Sequence, residues 1–315
     1  MAAAARLAAR ARPMARPNPG VAALVVADDR VIARGWTQSG GRPHAEASAL
    51  AGLASRTLEN ATLYVTLEPC AHHSDRGPAC TDLILAAKPR RVVIGQIDPD
   101  PRTAGQGIAR LKAAGIAVTL LNDRASAQSL AGFLTRLALG RPWVTLKLAA
   151  SLDGCIATAD GTSQWITGAA ARSHVHAQRA AHDAILVGGG TWRADGPRLD
   201  VRLPGLEARS PTRVVLTRGA APDGTTAIPA PGAIGALDGV QYLYVEGGAE
   251  TAAAFLAADL VDELHLYTAP IVIGDGKRAI GALGLAGLAE AHDRWDLRER
   301  RQLGSDSFAA YWRTR

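Results

Sequence analysis

The chain has 315 residues, 48% hydrophobic, 20% charged and only 4% aromatic, with a net charge of +6 from 35 basic and 29 acidic residues. These values exclude a disordered chain, and the length fits two domains of ~100–200 residues with cores built mostly from Ala, Val, Leu and Ile. The basic excess is dispersed Arg with only four Lys (Lys88, Lys112, Lys147, Lys277), and aromatics are scarce, so it fits a phosphorylated small molecule better than nucleic acid.

Residues 1–16 are rich in Ala and Arg and lack acids, as organelle transit peptides do. The Pro17-Asn18-Pro19-Gly20 break that follows favours a first helix instead. A strand is expected over 21–26, and Asp28-Asp29 turns into a second over 31–33. Helical character runs over 44–58, a strand over 61–67, a polar loop over 68–79 and a helix over about 80–87. A strand over 91–97, a helix over 104–114 and a strand over 116–121 complete an alternation that predicts an α/β sheet with helices on its faces. Residues 124–139 read as one helix stopped by Gly140-Arg141-Pro142, which places a domain boundary within 122–142 and divides the chain into 1–141 and 142–315. The second part opens with a strand over 143–149. Further strands are expected over 184–187, 212–217, 241–245 and 264–269, with a Pro- and Gly-rich loop between Ala220 and Gly239. No apolar run approaches the ~20 residues of a membrane span.

The strongest chemical signal is His44-Ala45-Glu46, followed by Glu68-Pro69-Cys70 and then Cys80. Three cysteines (Cys70, Cys80, Cys155) in a chain of this length are no disulfide framework and point to a reducing compartment with metal or free thiols. Imidazole and thiolate are zinc ligands, and a catalytic site leaves its fourth position to water. Glu46, two residues from His44 at a helix start, can face the same cavity and move protons. The set follows the H-x-E…P-C-x-x-C pattern of zinc deaminases, except that nine residues rather than two separate the cysteines. That departure admits His72 or His73 as the third ligand. Cys80 is favoured because it falls at an expected helix N-terminus, where the macrodipole supports a thiolate. A scaffold with structural zinc would need a closed four-ligand site, and a nucleic-acid deaminase would need a basic–aromatic patch.

From Pro17 to Gly276 the sequence resembles the bifunctional riboflavin-biosynthesis deaminase–reductases of bacteria. The resemblance rests on Pro17-Asn18-Pro19, His44-Ala45-Glu46, Thr66-Leu67-Glu68-Pro69-Cys70-Ala71-His72 and Pro78-Ala79-Cys80. The long intercysteine loop is a trait of that family, here one residue longer and with Ala79 in place of a second proline. Ala22 stands where the family usually has Gly. In the second half, 145–154 is similar to the opening strand of the family's reductase domain. Gln164-Trp165-Ile166-Thr167, Val187-Gly188-Gly189-Gly190-Thr191, Ala194-Asp195-Gly196-Pro197 and Val245-Glu246-Gly247-Gly248 match its later motifs.

The resemblance implies a cytidine-deaminase-like three-layer α/β domain followed by a dihydrofolate-reductase-like α/β domain, using Zn2+ and NADPH on a phosphorylated pyrimidine. It implies His44, Cys70 and Cys80 as zinc ligands, Glu46 as proton shuttle and Asn18 on the pyrimidine. It places Ala149, Trp165, Thr191 and Asp195 at the nicotinamide cofactor, and Ser163, Arg179, Leu199, Arg202 and Glu246 at the substrate. Gly247 and Gly248, directly after a strand, would let backbone approach a pyrophosphate. Arg179 and Arg202 suit a phosphate through the planar guanidinium fork. Lys147, in a core strand of an Arg-preferring chain, is expected to polarise the sugar. Gly196 and Asp200 vary from the pattern, and Cys155 is expected to be a buried core residue. A cytoplasmic homo-oligomer without nucleic-acid or membrane partners is expected.

Overall fold

The computed structural model describes residues 1–53, 58–72 and 75–315. The chain divides into two compact units, Met1–Gly140 and Arg141–Arg315.

The N-terminal unit starts with α1 (Ala2–Ala8), which buries Ala4, Ala5 and Ala8 and tightens into a single 3-10 turn, Ala9–Ala11. The helix expected over 1–16 stops there because Arg12, preceding Pro13, is driven to extended backbone (φ −81°, ψ 143°). The sheet comprises β1 (Ala22–Ala27), β2 (Arg30–Trp36), β3 (Thr62–Leu67), β4 (Arg91–Gln96) and β5 (Ala117–Leu120), in the order β2-β1-β3-β4-β5. β1 pairs antiparallel with β2 and β3, whereas β3, β4 and β5 run parallel. Helices α2 (Ala45–Leu50), α3 (Cys80–Ala87), α4 (Gln106–Ala113), α5 (Arg124–Ser129) and α6 (Ala131–Leu139) complete the unit. α2 is shorter than the helix expected over 44–58: it passes into a 3-10 turn, Ala51–Leu53, and residues 54–57 lie outside the described residues. The helix expected over 124–139 is two. The chain leaves helical geometry at Leu130 (φ −106°, ψ 6°), whose side chain is buried in the core with Val65, Ile94 and Leu111.

The C-terminal unit is built on eight strands: β6 (Trp143–Ala150), β8 (Ala184–Gly188), β9 (Thr212–Leu216), β10 (Thr226–Ile228), β11 (Tyr242–Val245), β12 (Glu263–Thr268), β14 (Trp295–Leu303) and β15 (Asp306–Arg313). Their order is β10-β9-β8-β11-β6-β12-β15-β14, parallel except for the β12–β15–β14 meander. A separate ribbon pairs β7 (Cys155–Ala157) with β13 (Lys277–Arg278). The helices are α7 (Ala169–Arg179), α8 (Gly189–Asp195) and α9 (Ala249–Ala257). Alternation along β6 sends Val144, Leu146 and Leu148 into one core with Ala252 and Phe255 of α9. The opposite face packs Ala149, Tyr244, Tyr267 and Phe308 with Ala171 and Val175 of α7. Thr145, Lys147 and Ala149 share that second face, and the β6–β12 register sets Lys147 opposite His265. Cys155 is buried, as expected.

Candidate active sites

In the N-terminal unit three chain segments converge. His44 occupies the N-cap position of α2, Cys70 follows the end of β3, and Cys80 opens α3. His44 Nδ1 lies 3.6 Å from Cys70 Sγ and 3.3 Å from Cys80 Sγ, and all three donor atoms fall within 4.8 Å of one another. Tetrahedral zinc with Zn–S of about 2.3 Å and Zn–N of about 2.0–2.1 Å requires N···S separations of roughly 3.6 Å. The donor set and its spacing therefore fit zinc. The first N–H of α3, from Cys80, donates to Cys70 Sγ at 3.3 Å, and Thr81 N donates to Cys70 O at 3.1 Å, so the helix end holds the first thiol as well as bearing the second. Hydrogen bonding from Cys80 foremost, helped by His44, lowers the Cys70 thiol below its ordinary range against the opposing effect of burial.

Glu46, in the first turn of α2 and 3% exposed, lines the same cavity of about 380 Å³ as Asn18, His44 and Cys70. Burial, reinforced by the Cys70 charge, pushes its carboxyl up to about 7. Asn18 has a task that the sequence did not suggest. Its Nδ2 is 3.0 Å from Gly41 O and 3.1 Å from His44 Nε2, so it also fixes the imidazole that presents Nδ1 to the thiols. His72 lines the cavity with its Nδ1 3.3 Å from Thr103 Oγ1 and stands outside the donor cluster. His73 lies outside the described residues. The sequence reading missed Arg42, Arg76, Asp98, Asp100 and Arg102, which also line this cavity. Burial raises Asp98 to about 6. The usable signal was position: Cys70 and the Asp98-Pro99-Asp100 turn follow the carboxyl ends of adjacent parallel strands, where open α/β sheets bind ligands.

In the C-terminal unit, Lys147, Ala149, Ser163, Trp165, Arg179, Thr191, Asp195, Leu199, Arg202, Glu246, Gly247 and Gly248 all line one cavity of about 450 Å³. It lies at the carboxyl ends of β8, β11 and β6. Burial lowers the Lys147 ammonium below its ordinary value, and the Glu246 carboxylate partly restores it. Arg172, not anticipated, stacks over the exposed Trp165 ring at 4.7 Å. Arg179 lines this cavity and is also paired within it. Its Nε and Nη2 donate to the two Glu246 oxygens at 2.7 and 2.9 Å and its Nη1 to Asp200 O at 2.9 Å, so the bidentate edge of the fork is occupied by a carboxylate. Arg202 is half-exposed with Nε 3.4 Å from Asp200, and so is the freer of the two. Gly247 also has a packing role: a Cβ there would lie 2.4 Å from Thr251 Cβ, so the missing side chain lets the first turn of α9 sit against the strand end.

Residues 1–96 match the family model of the cytidine and deoxycytidylate deaminase zinc-binding region. Residues 142–229 and 235–308 match the RibD C-terminal domain. The riboflavin biosynthesis protein RibD of Escherichia coli K12 is 37% identical, with 97% of this chain and 96% of that protein covered. The chain belongs to the RibD family. RibD of Bacillus amyloliquefaciens is 40% identical over 85% of this chain and 83% of its own length. Among solved structures, RibD of Acinetobacter baumannii (form 2) superposes with a TM-score of 0.85 at 33% identity, covering 99% of this chain and 97% of that one. The diaminohydroxyphosphoribosylaminopyrimidine deaminase/5-amino-6-(5-phosphoribosylamino)uracil reductase of Thermotoga maritima does so with a TM-score of 0.88 at 30% identity, with the same coverage. This RibD chain is thus a bifunctional deaminase and reductase of riboflavin biosynthesis, with a cytidine-deaminase-like fold and a dihydrofolate-reductase-like fold in succession. Zinc and NADPH are the cofactors that fit its two halves. Among the described residues no helix is long and apolar enough to cross a membrane.

Proposed function

We propose that the N-terminal unit removes the 2-amino group of 2,5-diamino-6-(5-phosphoribosylamino)pyrimidin-4-one by hydrolysis. The C-terminal unit then reduces the ribosyl group of the product to ribityl, giving 5-amino-6-(5-phosphoribitylamino)uracil. The observation that carries the first half is the placement of a buried carboxylate, Glu46, in one cavity with His44 and Cys70 of the His44–Cys70–Cys80 donor set. His44, Cys70 and Cys80 would hold zinc, with Asn18 orienting His44 and facing the pyrimidine. Zinc, when bound, supplies water acidified to a pKa near 7. The Glu46 carboxylate then holds and transfers protons, to the ring nitrogen and to the departing ammonia. Its raised pKa suits both directions of transfer near neutrality.

In the second cavity NADPH, when bound, supplies the hydride. Ala149, Trp165, Thr191, Asp195, Gly247 and Gly248 would bind the cofactor, and Ser163, Arg179, Leu199, Arg202 and Glu246 the sugar phosphate. Lys147 polarises a sugar oxygen, and the Glu246–Arg179 pair fixes the carboxylate beside it. Two thiols presented to zinc and a third, Cys155, buried in a core suit a reducing cytoplasm. A homo-oligomer remains part of the proposal and is read by the solution mass of the purified enzyme.

The test supplies the diaminopyrimidine phosphate with and without NADPH and identifies products by mass. Glu46→Gln should keep zinc and lose deamination by ~10²–10⁴-fold, while reduction of separately supplied deaminated substrate is unchanged. Lys147→Ala should do the reverse. Loss of both activities in either variant refutes the division of labour.

A further inference from the structure

Glu68 lines the cavity of the N-terminal unit, but its carboxylate is engaged by backbone. It is 2% exposed, and its carboxylate accepts three backbone N–H bonds. Oε2 accepts from Asp98 at 3.3 Å and from Gly105 at 3.0 Å, and Oε1 accepts from Ile108 at 3.1 Å. On one side Glu68 is two residues from Cys70 at the end of β3. On the other, its partners bracket the segment that brings Asp98, Asp100 and Arg102 to the cavity wall. Two further ties run in parallel: His72 Nδ1 lies 3.3 Å from Thr103 Oγ1, and Arg110 Nη1 donates to Ala71 O at 3.0 Å. Gly107 admits this stitching, because a Cβ there would meet Pro69 O at 2.4 Å.

We propose that Glu68 is a positioning residue that locks the substrate-facing segment 98–105 to the metal-ligand segment 68–72, so that the pyrimidine is held in register with the donor set. The chemistry of the partners supports the choice of residue. All three are donors, and only a carboxylate offers acceptors on both oxygens. An amide at this position must turn its NH2 toward at least one buried N–H and leave it unsatisfied. The carboxylates and the guanidinium on segment 98–105 suit the amino groups and the phosphate of an aminopyrimidine nucleotide. A shift of that segment therefore weakens substrate binding before it disturbs the metal, whose ligands lie elsewhere. The proposal rests on the deaminase reading of the cavity.

Glu68→Gln tests it in the zinc-loaded, full-length protein. One unsatisfied buried donor predicts a KM for deamination raised roughly 10- to 100-fold. Zinc should stay near one per chain and kcat within a few-fold. Glu68→Asp, which keeps both acceptors but falls one methylene short, should show the same split in milder form and stands in if the amide variant does not fold. Amide hydrogen exchange supplies a readout independent of turnover: Asp98, Gly105 and Ile108 should be protected in the wild-type holoenzyme and lose protection in either variant. An unchanged KM, zinc lost in step with activity, or wild-type amides exchanging as fast as an open loop would each overturn the proposal. Failure of the wild type to deaminate the pyrimidine would instead sink the functional reading, while exchange would still report on the three bonds.

Discussion

Replacing Arg179 separates two accounts of the reductase cavity. In the structure its guanidinium and the Glu246 carboxylate form a bidentate pair in which each side chain is only 11% exposed. Arg179→Met removes both charge-assisted bonds and leaves a buried carboxylate without its principal partner. Breaking a buried pair from one side costs about 3–5 kcal/mol. Lys147, whose charge also favours ionised Glu246, offsets part of this, so the lower end is expected. At ~2–4 °C per kcal/mol for a domain of 150–250 residues, the C-terminal unit should lose at least about 6 °C in Tm. The assay is calorimetry of the full chain, with Glu246→Gln and the double variant completing a cycle. The double variant should be less destabilised than the sum of the singles, because no unpaired charge remains. If Arg179→Met leaves Tm unchanged and only raises KM for the phosphorylated substrate, the fork grips phosphate in solution and the carboxylate pairing is not what holds it.

Cys80→Ser should lose most of the bound zinc and His72→Ala almost none; the opposite pattern by metal analysis would move the third ligand to His72. Gly107→Ala forces a Cβ to 2.4 Å from Pro69 O and 3.2 Å from Glu68 Oε1, so urea unfolding should show the N-terminal unit destabilised by ~1–3 kcal/mol, and no change would mean α4 is not seated there. Glu263 should govern acid stability: burial raises it, but the His265 charge and hydrogen bond and the Trp143 indole N–H outweigh burial and hold it at about 2. A depressed carboxyl stabilises above its unfolded pKa of about 4.3 and loses that contribution as pH falls toward 2, so Glu263→Gln should flatten the stability profile in that window.

What the sequence disclosed depended on how sharply a residue's chemistry restricts it. The zinc donors were legible because imidazole, two thiols and a carboxylate at H-x-E and P-C spacing have few other uses. The inner strands of both sheets were legible because Leu63, Val65, Val92 and Ile94, or Val144, Leu146 and Leu148, repeat at the pleat's period of two, whereas short β10 (Thr226–Ile228) lies within the stretch expected to be a loop. The β14–β15 hairpin was not. β14, Trp-Asp-Leu-Arg-Glu-Arg-Arg-Gln-Leu, is an edge strand whose charges guard it from further pairing and erase the apolar alternation. α7, with Arg172, Ser173, His174, His176 and Gln178, hides in the same way behind polar residues. Its His174 meets Tyr267 at 2.9 Å, a contact set by strand register and not by local pattern. Asp98, Asp100 and Arg102, between an expected strand and an expected helix, drew no reading because nothing within the turn announces Glu68, thirty residues earlier, as its anchor. The pairing of Arg179 was hidden for a related reason: a guanidinium suits carboxylate and phosphate equally, and only tertiary structure shows that it meets Glu246.

The boundary between the units makes a final, sharper test of modularity. Each unit has its own hydrophobic core, so a fragment beginning at Arg141 should fold and bind NADPH without the zinc-binding half. The first residue matters. Arg141 Nη1 and Nη2 donate to Asp262 at 2.6 and 2.9 Å, and Asp262, 1% exposed, also accepts from Val144 N at 2.8 Å, locking the start of β6 to the turn before β12. A fragment beginning at Trp143 keeps every strand and every cavity residue but strips Asp262 of this partner. Arg315 Nη1, at 2.6 Å, still contacts the carboxylate, so the loss should be about 1–3 kcal/mol rather than that of a wholly unpaired buried charge. The fragments 141–315 and 143–315 should therefore bind NADPH alike near 10 °C and separate on heating, with the shorter one unfolding first. Equal melting would show that Arg141 is dispensable to the fold. An insoluble 141–315, with the full chain active, would show that the C-terminal core does not stand alone.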